Sequence, residues 1–95
     1  MPEKEIAEIL LNADSRFLSI REIRKELSSD LTQDMVARDV KRIARKAGTE
    51  YREWLWNNGK YDLSAVHEYE ETIRKGYGLE DIPEPVREEL EDLGL

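Results

Sequence analysis

Thr32–Gly48, TQDMVARDVKRIARKAG, is the stretch whose reading decides the fold. Val36, Val40, Ile43 and Ala47 recur at spacings of four, three and four, and at about 100° per residue their side chains fall within one narrow arc. The spacing predicts a helix over Thr32–Ala47, with Thr32 or Asp30 as its N-cap and Gly48 as its C-terminal cap. The opposite side carries Asp34, Arg38, Lys41 and Arg45 with Arg42 beside them, so four of the five residues facing water are basic. Such a stripe also serves as a plain solvated face, and Asp34 with Arg38 makes an i, i+4 pair worth a few tenths of a kcal/mol in any context.

Upstream, Ile6, Ile9, Leu10 and Ala13 follow the spacing of an amphipathic helix over Glu3–Ala13, which Asp14 and Ser15 break. Phe17 and Leu18 form a very short apolar stretch. Ser19 with Glu22 three residues later is a capping box that opens a second helix over Ser19–Leu27, with Ile20, Ile23 and Leu27 as its stripe. Ser28, Ser29 and Asp30 end it in a tight turn that Leu31 plugs.

Downstream the period changes. Tyr51–Trp56 and Tyr61–Ser64 are rich in strand-forming types and flank Asn57-Asn58-Gly59-Lys60, where Asn58-Gly59 is a strong hairpin signal because a type I′ turn needs positive φ at both positions. A turn centred there sets Trp56 opposite Tyr61 and Trp54 opposite Leu63. The hairpin face so formed is aromatic and apolar, and both tryptophans are expected mainly to pack on the first and third helices rather than to stack on single-stranded bases. Tyr51 and Leu55 point the other way, towards the fourth helix or a second subunit. Val66, Tyr69 and Ile73 predict a fourth helix ending at Gly76. Tyr77–Pro83 reads as a loop, and Pro85 opens a short last helix carrying Val86, Leu90 and Leu93 before Gly94. The apolar sides of the last two helices need a cover, which makes Val66, Tyr69, Ile73, Val86, Leu90 and Leu93 the expected homodimer surface.

Ninety-five residues, 39% hydrophobic and 39% charged, make one folded domain, too apolar for a disordered polymer and too charged for a membrane span. No apolar run approaches the roughly 20 residues of a transmembrane helix. Glu3, Lys4, Glu5 and Glu8 stand where an export signal would be apolar, so a cytoplasmic protein is expected. With no cysteine and only one histidine, His67, the chain lacks the means for disulfides, thiolate chemistry or a histidine-rich metal site. Glu70 with Glu71 and Glu88 with Glu89 read as a solvated acidic face. The expectation is a protein without enzyme activity, metal or cofactor. One Gln and three Asn against 15 basic and 22 acidic residues is a composition of the kind heat-adapted proteins show.

The net charge of −7 is unevenly spread. Residues 1–15 hold one base against four acids, residues 16–60 hold 11 bases against seven acids, and residues 61–95 hold three bases against 11 acids. A basic middle thus lies between acidic ends, and since exposed charges are screened beyond about 10 Å, the segment matters more than the total.

Helix, short strand, helix, tight turn, helix and two-stranded hairpin is an order that resembles the winged helix-turn-helix family over residues 3–64. The likeness is carried by Phe17-Leu18, the capped helix Ser19–Leu27, the turn Ser28–Leu31, the helix Thr32–Ala47 and the wing-like Tyr51–Ser64. In particular the chain resembles small archaeal winged-helix transcription regulators. The resemblance implies a mainly α domain with a β-hairpin wing over 1–64, and a helical acidic extension over 65–95 that packs on it or is used for dimerisation. It further implies that helix 32–47 enters the major groove of double-stranded DNA. By position, Thr32, Gln33, Asp34, Ala37, Arg38 and Lys41 then lie nearest the bases. Arg42, Arg45, Arg52 and Lys60 are placed for phosphates, and the start of the second helix, with Ser19 and Arg21, for another. Arg donating twice to guanine and Gln pairing with adenine give that placement its chemistry. The other reading is a winged-helix protein-interaction module in a larger assembly. Net acidity favours it, whereas the basic stripe on helix 32–47 favours DNA.

Overall fold

The computed structural model describes residues 2–57 and 59–79. These form five α-helices and a small three-stranded antiparallel sheet. In chain order they are α1 (Pro2–Asn12), β1 (Phe17–Ser19), α2 (Ile20–Glu26), α3 (Gln33–Ala47), a 3₁₀ turn (Tyr51–Glu53), β2 (Leu55–Asn57), β3 (Lys60–Asp62), α4 (Leu63–His67) and α5 (Glu70–Tyr77).

The helix ends follow their caps. The Ser19 hydroxyl accepts from the Glu22 amide at 3.0 Å while the Glu22 carboxylate accepts from the Ser19 amide at 3.3 Å, completing the capping box that starts α2. Thr32 Oγ1 accepts from the Met35 amide at 3.2 Å and starts α3. Gly48 closes α3 at φ 89°, a left-handed conformation in which a side chain would be strained. Between α2 and α3, the Arg24 guanidinium donates to the Leu31 carbonyl at 2.7 Å, and the Ser28 amide and hydroxyl donate to the Glu5 carboxylate at 3.2 and 3.1 Å. The turn is thereby fastened both to α2 and to α1. Leu31 is buried beneath it, as its sequence position suggests.

One core serves all five helices and strands β1 and β3. Ile6, Ala7 and Leu10 of α1, Ile23 of α2, and Val36, Val40, Ile43 and Ala44 of α3 are fully buried, together with Trp54, Tyr61, Leu63 and Val66. Val36, Val40 and Ile43 are residues picked out by the period of α3, with Ala47 almost fully buried as well, and Ala44 joins them. Burial on this scale supplies the main stabilising term, because each such side chain removed from water contributes roughly 1.5–3 kcal/mol.

The hairpin departs from the sequence expectation. Tyr51–Glu53 is a 3₁₀ turn rather than strand, and it aims Trp54 inward. The strands are only three residues each, and β3 runs between β1 and β2, pairing Leu18 with Tyr61 and Leu55 with Tyr61. A register shift between Leu55 and Asn57 leaves Trp56 without the place opposite Tyr61 that the turn position suggested. Trp54 is core, but Trp56 is 56% exposed, so the expectation that both tryptophans pack inward is corrected for Trp56. Gly59, at φ 71°, supplies positive backbone in the turn, as the Asn-Gly signal requires. Its carbonyl accepts from the Ile20 amide at 2.8 Å, and the Arg16 carbonyl accepts from the Leu63 amide at 2.6 Å, so β1 and the start of α2 are sewn to the hairpin.

The fourth helix of the sequence reading is two helices. Val66, Tyr69 and Ile73 do keep helical spacing, but the Tyr69 amide donates to Val66 at 3.0 Å, an i to i−3 bond that tightens the chain and breaks the run at Glu68–Tyr69. His67 ends α4. The chain also stays helical through Gly76 to Tyr77, and Gly78 at φ 68° caps it, which corrects the loop expected from Tyr77. Val66 and Ile73 are 0% and 2% exposed inside the chain's own core, so they are corrected as dimer-surface residues. Tyr69 is half-buried against Trp54, ring centroids 6.4 Å apart. The last helix, with Val86, Leu90 and Leu93, lies outside the described residues. The described part of the extension packs on α1 and α3.

Candidate nucleic-acid interface

α3 presents two basic edges that behave differently. Thr32, Gln33, Asp34, Arg38, Lys41 and Arg45 are all exposed, and at about 100° per residue Asp34, Arg38, Lys41 and Arg45 fall on the side away from Val36, Val40 and Ile43. Among the described residues, Arg38 and Arg45 have no ion-pair partner. Lys41 leans over the Tyr51 ring, its Nζ 5.3 Å from the centroid, which holds the ammonium beside the 3₁₀ turn. The half-buried Ala37 between these side chains keeps the surface low.

Arg42 and Lys46 form the second edge and face inward charges. Glu3, only 6% exposed at the start of α1, accepts from the Tyr77 hydroxyl and from Lys46 Nζ at 3.2 Å, and lies 4.0 Å from Arg42. Asp39 is 3.7 Å from the same guanidinium. Lys46 Nζ also stands 4.5 Å from the Tyr77 ring centroid. Burial pushes the Glu3 carboxyl upward, but the hydrogen bonds from Tyr77 and Lys46 and the charge of Arg42 outweigh it and hold Glu3 below the ordinary glutamate value. Burial and the neighbouring Glu3 charge push Asp39 the other way, and burial with the Glu3 contact raises the Tyr77 phenol. Arg42, expected at a phosphate, is more than half exposed and also faces the carboxylates of Glu3 and Asp39.

The remaining expected phosphate contacts are dispersed. Arg52 is exposed and paired with Glu50 at 2.7 Å, while Arg21 and Lys60 are exposed. The phosphate seat expected at the start of α2 is corrected, because its polar groups are already in use. The Ser19 amide and hydroxyl donate to Glu22, the Glu22 amide donates to Ser19, and the Ile20 amide donates to Gly59. The Glu22 carboxylate also occupies the position an anion would need.

Two exposed groups were not legible as surface residues in the sequence. Trp56 lies against Phe17 with ring centroids 4.8 Å apart, and the Arg16 guanidinium stands 5.0 Å from the Phe17 centroid while bonding Asp62 at 3.3 Å. The only local clue was the period-2 alternation from Trp54 to Trp56, which the register shift overrides. His67 bonds Glu70 at 3.1 Å on the surface, and Glu70 is held below its usual range chiefly by Arg74 and then by His67. Among the described residues no cluster of three or more metal-ligating side chains occurs, and no helix is long and apolar enough to cross a membrane.

No family model, curated protein or solved structure matches the chain.

Proposed function

We propose that the chain is a winged helix-turn-helix protein that binds double-stranded DNA and regulates transcription by inserting α3 into the major groove. The observation that carries this reading is the exposed side of α3, where Arg38, Lys41 and Arg45 stand together while the opposite side is committed to the core. The order α1-β1-α2-α3-β2-β3, with β1 added to the hairpin sheet, supports it. At 15 residues α3 is about 22 Å long, and a major groove about 12 Å wide admits one such helix. Gln33 and Arg38, near its N-terminal half, read base edges. Arg45, two turns further on, meets the backbone.

Titration of a labelled random duplex at about 50 and 200 mM salt tests the reading, since neutralised phosphates make affinity fall steeply as salt rises. Arg38→Ala costs about 1–3 kcal/mol at one base position, whereas Arg45→Ala weakens all sequences alike and lowers the salt slope by about one. Absence of duplex binding in dilute buffer refutes groove insertion, and equal effects of the two substitutions refute the division of roles. A homodimer offering two copies of α3 to half-sites about 34 Å apart belongs to the same reading, built on surface other than Val66 and Ile73. Sedimentation then returns twice the chain mass of 11.2 kDa. The second reading, a winged-helix protein-interaction module, is favoured by one observation, the exposed Trp56, and predicts no salt-sensitive affinity for duplex.

A further inference from the structure

The outer side of the sheet has aromatic rings that groove insertion does not use. Leu18 and Tyr61 pair across β1 and β3 and both are buried, so strand alternation places Phe17, Ser19, Lys60 and Asp62 on the opposite, outward side. Trp56 on β2 reaches the same side, because its ring meets Phe17. The core is complete without it, since Trp54 already fills the inward position and is fully buried. What remains is a row of cation, ring and ring, Arg16 on Phe17 on Trp56, with Lys60 on the neighbouring strand. The Asp62 carboxylate shares the face but is taken up by the Ser64 amide and hydroxyl at 3.0 and 2.7 Å and by Arg16.

We infer that this face is a second nucleic-acid surface, a stacking platform on Trp56 for an unpaired base whose backbone phosphates meet Arg16 and Lys60. Every base has a π-face and every nucleotide a phosphate, so exposed rings interleaved with cations match a single strand, whatever its sequence. A paired base keeps its faces inside the duplex stack and is closed to such a platform. A protein partner would use the rings, but would engage the two cations only by bringing carboxylates to them, whereas every nucleotide carries its own phosphate. The inference rests on the reading of the chain as a nucleic-acid-binding protein, yet not on α3, which lies on a different surface.

The test is titration of the full chain with an oligothymidylate of about 12 nucleotides, following tryptophan fluorescence and, with a labelled strand, anisotropy. Trp54 is buried and gives a constant background, so quenching reports Trp56. Saturable quenching in dilute buffer is expected. Trp56→Ala abolishes the quenching and weakens strand binding roughly 5- to 150-fold, Trp56→Phe keeps most of the affinity, and Arg38→Ala with Arg45→Ala leaves it unchanged. Because Trp56 is exposed, the variants fold, which an unchanged urea midpoint verifies. Undiminished strand binding by Trp56→Ala, equal loss in the α3 double variant, or no strand binding by the native chain overturns the inference, the last leaving the face to a protein partner. Duplex titration reads α3 separately: a native chain that binds the strand but no duplex defeats groove insertion alone, and one that binds duplex but no strand defeats the platform alone.

Discussion

Glu3→Ala is the substitution that most directly tests how the acidic start of the chain is tied to the rest. It deletes the acceptor of the Tyr77 hydroxyl and the partner of Lys46 and Arg42. Tyr77 is 9% exposed, so its hydroxyl is left poorly hydrated, and a lost hydrogen bond to a charged group costs about 1.5–3 kcal/mol. The cations contribute less, because the Lys46 and Arg42 side chains are more than half exposed and water takes over their charge, which limits each to a few tenths of a kcal/mol. The expected loss is therefore about 2–3 kcal/mol, dominated by Tyr77, while Glu3→Gln keeps an acceptor and loses about 1 kcal/mol. The sign with pH follows from the lowered Glu3 pKa: its stabilisation is present above the ordinary value of 4.5 and is lost as pH falls through the lower folded value. Asp39, raised in the fold, works in the opposite sense, stabilising at acid pH and losing that contribution as pH rises through its folded pKa. Urea unfolding of the native chain and Glu3→Gln between pH 7 and pH 3 reads the difference. The native advantage shrinks towards pH 3, and an advantage that is constant or growing would falsify the electrostatic account of the cluster.

Ile73→Ala should lose about 2–5 kcal/mol in urea unfolding, the cost of a large-to-small change in a core, without changing the sedimented mass; a change of mass with stability intact would return Ile73 to a subunit interface. Ser19→Ala, which dissolves the capping box, should lower stability by about 1 kcal/mol and leave duplex affinity within a factor of two to three. A large, salt-dependent loss of affinity with normal stability would instead restore the phosphate seat at α2.

The helices were legible where a local rule was sufficient to define them. α3 shows its buried residues by period and its ends by Thr32 and Gly48, and the Ser19–Glu22 box marks α2 to the residue. The hairpin was legible only as a turn. Tyr51 to Trp56 reads as strand because aromatic residues favour strands, but burial of Trp54 is achieved through a 3₁₀ turn, and tertiary packing overrides local preference. The expectation that Val66 and Ile73 line a dimer surface failed for a related reason. An apolar stripe on α4 and α5 records that something covers Val66 and Ile73, not whether the cover belongs to the same chain. For the candidate interface, Arg38, Lys41 and Arg45 were legible as an exposed stripe, whereas the contact of Arg42 with Glu3 was not. Its partner Glu3 lies 39 positions away, and Tyr77 bonds Glu3 across 74 positions, beyond the reach of any periodicity.

The bond from the Ile20 amide to the Gly59 carbonyl joins the tip of the hairpin to the first turn of α2, and α2 is fastened to α3 through Arg24 and Leu31. Force applied at the tip therefore has a short, stiff route into the helix pair. Lengthening the hairpin would slacken that route, so loop engineering aimed at one contact would retune the seating of the other.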